Sequence, residues 1–170
     1  MVLGMSLRAF TALHVALSLI GIGSGFLMAF GMVRSRRMPF ATGVFLLTTA
    51  LTSITGFLFP FRGITPGIVI GFLSMFALLL AVFALYSGHL AGGWRKAWVV
   101  SAMIALYLNF FIFIVQLFDK TPALRAMGEI QKETVFAGAQ LAAFIGFLLW
   151  TIKAMRQFKA GEPAGAKAAS

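Results

Sequence analysis

At 170 residues the chain has the length of one domain, but 61% of it is hydrophobic and only 11% charged. That excludes an ordinary soluble fold, in which roughly 25% of residues are charged. Fourteen Lys and Arg face four Asp and Glu, a formal charge of +10; they fall in short segments between apolar runs, where they orient helices and meet lipid head groups rather than nucleic acid.

Five segments lack any Asp, Glu, Lys or Arg: Ala9 to Val33, Ala41 to Phe59, Pro66 to Gly88, Ala97 to Phe118 and Thr134 to Ile152. Each has 19 or more residues, and about 20 helical residues cross a hydrocarbon core at ~1.5 Å per residue. The expected fold is all-α, a polytopic membrane bundle of five transmembrane helices over 9–33, 41–59, 66–88, 97–118 and 134–152. The first is about twice the length of a signal-peptide core and no small-residue cleavage site follows it.

In the first segment His14, Ser18, Gly21 and Gly25 share a face by the i, i+4, i+7 rule, so a histidine sits above small residues along which another helix can approach. In the second, Thr48, Thr49, Thr52, Ser53, Thr55 and Gly56 occupy one hemisphere and face protein, while Leu46, Leu47, Leu51, Ile54, Phe57 and Leu58 face lipid. Thr65-Pro66 reads as an N-cap with proline at the first helical position of the third, whose small face is Gly67, Gly71, Ser74, Ala81 and Gly88. The fourth aligns Ala102, Ala105, Asn109 and Gln116. Thr121-Pro122 repeats the capping signal and opens a short interfacial helix through Met127 toward Gln131; the fifth segment aligns Glu133, Gln140, Phe144, Phe147 and Thr151. Residues 1–158 form a single transmembrane domain, and the small, polar tail over 159–170 is expected to be disordered.

Lys and Arg are retained on the cytoplasmic side. Arg34, Arg36, Arg37, Arg95, Lys96, Lys153, Arg156, Lys159 and Lys167 lie at one end of the bundle, nine in all, against five at the other: Arg8, Arg62, Lys120, Arg125 and Lys132. The expected topology is N-terminus outside, C-terminus inside, with Trp94, Trp98 and Trp150 at the inner interface.

Catalytic chemistry finds little purchase. There is no cysteine, hence no disulfide, thiolate nucleophile or thiolate-ligated metal. No zinc-protease, nucleophile-elbow or Walker motif occurs, and the GIGSG of Gly21 to Gly25 lies inside an apolar helix, where it serves packing. The chain reads as non-enzymatic, with no cofactor and no metal. The polar groups of the spans gather instead toward the outer side: His14, Ser18, Thr52, Thr55, Asn109, Gln116 and Gln140 form a candidate periplasm-facing pocket, with His14 at its centre and Thr52, Asn109, Gln116 and Gln140 as its hydrogen-bonding neighbours.

The stretches TTALTSITGFLFPF (Thr48 to Phe61) and ALYLNFFIFIVQLFDKTPAL (Ala105 to Leu124) resemble a family of small bacterial inner-membrane proteins. The resemblance spans about His14 to Phe158 and implies a bacterial, proteobacterial cytoplasmic-membrane location without implying an activity. The expected function is therefore binding of a small or lipophilic ligand or a membrane partner from the periplasmic side, by a chain partnered with the lipid bilayer and with a homo-oligomer or another membrane protein. One alternative is a small oligomeric transporter or channel, although no acid lies inside the spans. Another is a haem- or quinone-binding redox subunit anchored by His14. A haem held by both histidines is disfavoured, since roughly 25 Å of helical rise separates His14 from His89.

Overall fold

The computed structural model describes residues 2–60, 63 and 65–159. Helix α1 runs Leu7–Val33, α2 Pro39–Phe57, α3 Pro66–Val82, α4 Gly93–Lys120, α5 Pro122–Arg125 and α6 Glu129–Gln157. Five of these are long and apolar enough to cross a membrane, α3 together with the turn that follows it. Among the described residues the only β pairing is the isolated Val2–Met5 bridge.

The helix starts follow their capping residues. Ser6 accepts the Ala9 N–H at 3.2 Å, and Thr65 accepts that of Ile68 at 3.4 Å with Pro66 behind it. Pro39 opens α2 without a side-chain cap at Met38. Thr121-Pro122 also opens a helix, but α5 stops at Arg125 after one turn instead of continuing toward Gln131. From Glu129 the chain already belongs to α6. Charge-free windows end at the hydrocarbon boundary, whereas backbone hydrogen bonds continue into the interface, where long charged side chains reach water. For that reason α1, α4 and α6 outrun the expected spans.

At its far end α3 widens into a π-helical turn, Phe83–Ser87, in which the Gly88 N–H reaches the Phe83 carbonyl at 2.8 Å. His89 and Leu90 follow with φ of 47° and 57°, a left-handed pair that histidine tolerates better than leucine does. Burial of Leu90 at 3% exposure holds the pair in place.

Successive spans run antiparallel. Helix α1 packs on α2, α2 on α3, α3 on α4 and α4 back on α1, closing a four-helix ring, and α6 lies along the outside against α4 and α1. The core of the ring includes Met28, Ala29, Phe45, Ala81, Val99, Ala102 and Leu106. Helix α6 exposes Leu141, Ile145, Leu148 and Leu149 along its outer face, as suits a peripheral helix in lipid.

Two ends result. One gathers the starts of α1, α3 and α6 with the finishes of α2 and α4, and holds His14, Asp119 and Glu133. The opposite, basic end holds Arg34, Arg36, Arg37, Arg95, Lys96, Lys153, Arg156 and Lys159. Trp94 lies at that end over Gly88 and against Phe83, with ring centroids 5.0 Å apart. Trp98 is 2% exposed, so it is a core residue and not the interfacial anchor expected; one turn inside α4, it shares a cavity wall with Met28, Met32, Leu90 and Phe158. Beyond Lys159 the expected disordered tail lies outside the described residues.

Candidate functional site

The small face of α1 does what its spacing predicts. A Cβ on Gly25 would lie 2.5 Å from Leu106 Cδ1 and 2.8 Å from Phe45 Cδ2, so α2 and α4 both press on the bare backbone there. One turn earlier, a Cβ on Gly21 would lie 3.0 Å from Thr49 Oγ1, 3.1 Å from Thr48 Oγ1 and 3.2 Å from Asn109 Nδ2. Three polar side chains from two helices thus converge on one glycine.

On α2, Thr48, Thr49, Ser53 and Thr55 are buried while Leu47, Leu51, Ile54 and Leu58 are exposed, as the hemispheres predict. Leu46 departs from the pattern and is buried. Helix α2 touches both α1 and α3, so its buried arc is wider than one hemisphere. Phe57, also assigned to lipid, is half-buried and covers Gly71 of α3.

His14, about 10 Å along α1 at helical rise, is half-buried. Its Nδ1 lies 2.8 Å from Thr55 Oγ1. The threonine hydroxyl donates its single proton to the backbone carbonyl of Leu51 at 2.7 Å, with Thr52 O at 3.1 Å. With its proton directed there, the oxygen accepts from the histidine, an arrangement that puts the ring proton on Nδ1 and leaves Nε2 as an acceptor. Nε2 makes no hydrogen bond among the described residues. Phe59 stands edge-on to the ring at 5.3 Å between centroids, backed by Phe10 at 4.9 Å.

The other candidates form separate contacts. Ser18 Oγ donates to Asn109 Oδ1 at 2.8 Å, joining α1 to α4. Gln140 Nε2 donates to the Phe111 carbonyl at 3.2 Å, joining α6 to α4. Thr52 turns back on its own helix, donating to the Thr48 carbonyl at 2.8 Å. Gln116 is exposed, although it shares the helix face of the buried Asn109 and although Phe118, nearer the helix end, is buried. None of the four expected hydrogen-bonding neighbours, Thr52, Asn109, Gln116 and Gln140, bonds to His14; of the pocket candidates only Thr55 does. Three buried polar atoms remain without a partner among the described residues: Thr49 Oγ1, Asn109 Nδ2 and Gln140 Oε1.

Thr48 and Thr49 were assigned only to a packing face, yet a register argument reaches them. In antiparallel helices, pairing His14 with Thr55 sets Gly21, seven residues on, opposite Thr48, seven residues back. Two concavities lie elsewhere. One is a shallow groove along the outside of α1 from Leu7 to Leu19. The other is a cavity of about 300 Å³ at the basic end. His89, in the loop at that end, is exposed. Comparison with known proteins adds no relative: the chain matches no protein-family model, no curated protein and no solved structure.

Proposed function

We propose that this multi-pass membrane protein resides in a bacterial cytoplasmic membrane with its His14 end toward the periplasm, and that it acts without catalysis by binding a small or lipophilic ligand, or the side chain of a membrane partner, at His14. The observation that carries the reading is the divided state of the imidazole. Nδ1 is anchored to Thr55, while Nε2 of the half-buried ring is an acceptor that makes no hydrogen bond among the described residues. An acceptor held this way selects a ligand with a hydroxyl or amine hydrogen, since a ligand that covers it without offering a donor leaves it unpaired at a cost of roughly 1–3 kcal/mol. Phe10 and Phe59 supply an aromatic wall for an apolar body. The basic asymmetry between the two ends supports the orientation, and the resemblance of Thr48 to Phe61 supports the membrane.

A thermal-shift panel on the purified chain tests this, using long-chain alcohols, fatty amines and a hydroquinone against methyl ethers of the same compounds. At least one donor compound should raise the melting temperature of the wild type, its ether should not, and His14→Gln, with unchanged intrinsic stability, should respond to neither. Equal responses in the wild type and His14→Gln would contradict the reading. The hydroquinone arm separates the redox alternative from a plain alcohol or amine site.

A further inference from the structure

The end opposite His14 is tied together by several contacts between connections and helix ends. The α1–α2 connection folds back on α1: Ser35 takes φ of 53°, its N–H bonds to the Met32 carbonyl at 3.1 Å and that of Arg36 to the Gly31 carbonyl at 2.9 Å. Gly31 is required there, since a Cβ would lie 2.9 Å from the Arg36 carbonyl oxygen and 2.7 Å from Met38 Cγ. The finish of α6 is tied to the same connection. Lys159 N–H donates to Ser35 Oγ at 2.9 Å, and Arg95 Nη1 bonds to the carbonyls of Met155 and Phe158. Among the described residues, Ser35, His89 and Leu90 at this end take positive φ. Strained backbone held in place by its surroundings concentrates where a protein binds.

These ties enclose the cavity of about 300 Å³, at the lower end of the range for ligand sites, roughly 300–1,000 Å³. Its deep wall is apolar, formed by Met28, Met32, Leu90, Trp98 and Phe158, each 3% exposed or less. Its mouth is formed by Arg36, Arg37 and Tyr86, all exposed. No acid lines it.

The two arginines are free to act on a ligand. Arg95 is committed to α6, and the Arg34 guanidinium lies over the Phe30 ring at 4.0 Å. Arg36 and Arg37 make no side-chain hydrogen bond or ion pair among the described residues. The one ion pair there, Lys132 to Asp119, lies at the other end. We infer that this cavity binds an amphiphile with an anionic phosphate head, the head held by Arg36 and Arg37 and one acyl chain laid against the Met28, Met32 and Trp98 wall. Paired guanidiniums fit a phosphodiester with bidentate geometry, and an apolar depth behind them distinguishes an amphiphile from a free anion.

The test is titration of the purified full chain in a neutral detergent with dioctanoyl phosphatidylglycerol, read by native mass spectrometry. Dioctanoyl phosphatidylcholine is the head-group control and glycerol phosphate the head without chains. Phosphatidylglycerol should bind about tenfold more tightly than phosphatidylcholine, the equivalent of ~1.4 kcal/mol. Arg36→Gln with Arg37→Gln should remove that advantage. Lys153→Gln with Arg156→Gln, an equal loss of charge on exposed residues at the same end, should change affinity less than about twofold. Should the first pair fail to fold, Thr42→Phe, which fills the cavity from a half-buried lining position, should weaken phosphatidylglycerol by a similar factor. Equal binding of the two lipids, an equal loss in the Lys153/Arg156 control, or displacement by glycerol phosphate at the affinity of the lipid would each overturn the inference.

Discussion

Gly25 gives the sharpest test of how the bundle is held, because Gly23 on the same helix serves as its control. A Cβ at Gly25 would stand 2.5 Å from Leu106 Cδ1 and 2.8 Å from Phe45 Cδ2, about 1 Å inside the usual ~3.5–4.0 Å between carbons. Leu106 and Phe45 are fully buried, so neither can yield without displacing a neighbour. Overpacking of this kind costs about 1–3 kcal/mol. A Cβ at Gly23 meets nothing within 4 Å. Replacing glycine by alanine within a helix gains about 1 kcal/mol at either position, so the helix contribution cancels in the comparison. Gly23→Ala should match or exceed wild-type stability, and Gly25→Ala should fall below Gly23→Ala by about 1–3 kcal/mol. Gly21→Ala, whose Cβ would meet Thr49, Thr48 and Asn109 at 3.0–3.2 Å, should lie between them. Equilibrium unfolding in mixed dodecyl maltoside and dodecyl sulfate micelles, followed by circular dichroism, measures all three. Equal stabilities for Gly23→Ala and Gly25→Ala would refute the close approach of α1 to α2 and α4.

Three further predictions concern the polar contacts. A double-mutant cycle of Ser18→Ala and Asn109→Leu should give a coupling of about 0.6 kcal/mol, with ~1.7 kcal/mol as the ceiling for an interhelical bond in a membrane; zero coupling would dissociate the pair at 2.8 Å. Thr55→Val should cost about 1 kcal/mol, because the His14 Nδ1 proton loses its acceptor, whereas Thr55→Ser should be nearly neutral in the same unfolding assay. Arg95→Met should destabilise by about 1.5 kcal/mol, the low end for hydrogen bonds to a charged group because the guanidinium is half-exposed, and should speed proteolysis after Phe158; an unchanged cleavage rate would show that Arg95 does not cap α6.

Span number and helix faces were legible because they are local properties. A charge-free run of sufficient length and a 3.6-residue period place Thr48, Thr49, Ser53 and Thr55 inward and Leu47, Leu51 and Ile54 outward without knowledge of any neighbour. The spacing of Gly21 and Gly25 likewise announces a close approach. Helix ends were less legible, since charge marks the edge of the hydrocarbon and not the last hydrogen bond. Gln116 shows the limit of helix-wheel reasoning: it shares the face of the buried Asn109 yet is exposed, because how closely a neighbouring helix covers each turn is a tertiary property. Trp98 shows another, because residue type suggests an interface and depth within α4 decides for the core. The basic-end cavity draws its walls from α1, the α1–α2 connection, the π turn, α4 and the residue after α6. No single stretch of sequence carries that signal, whereas the polar residues of the spans mark the other end.

Orientation underlies the assignment of His14 to a periplasmic site, and the absence of native cysteine makes it directly measurable. Ala123→Cys, in α5 at the His14 end, and Ala91→Cys, in the loop between α3 and α4 at the basic end, both replace exposed alanines. A membrane-impermeant maleimide applied to intact cells should label Ala123→Cys and spare Ala91→Cys, and both should react once the membrane is opened with detergent. Labelling of Ala91→Cys alone in intact cells would invert the protein and contradict a periplasmic site at His14.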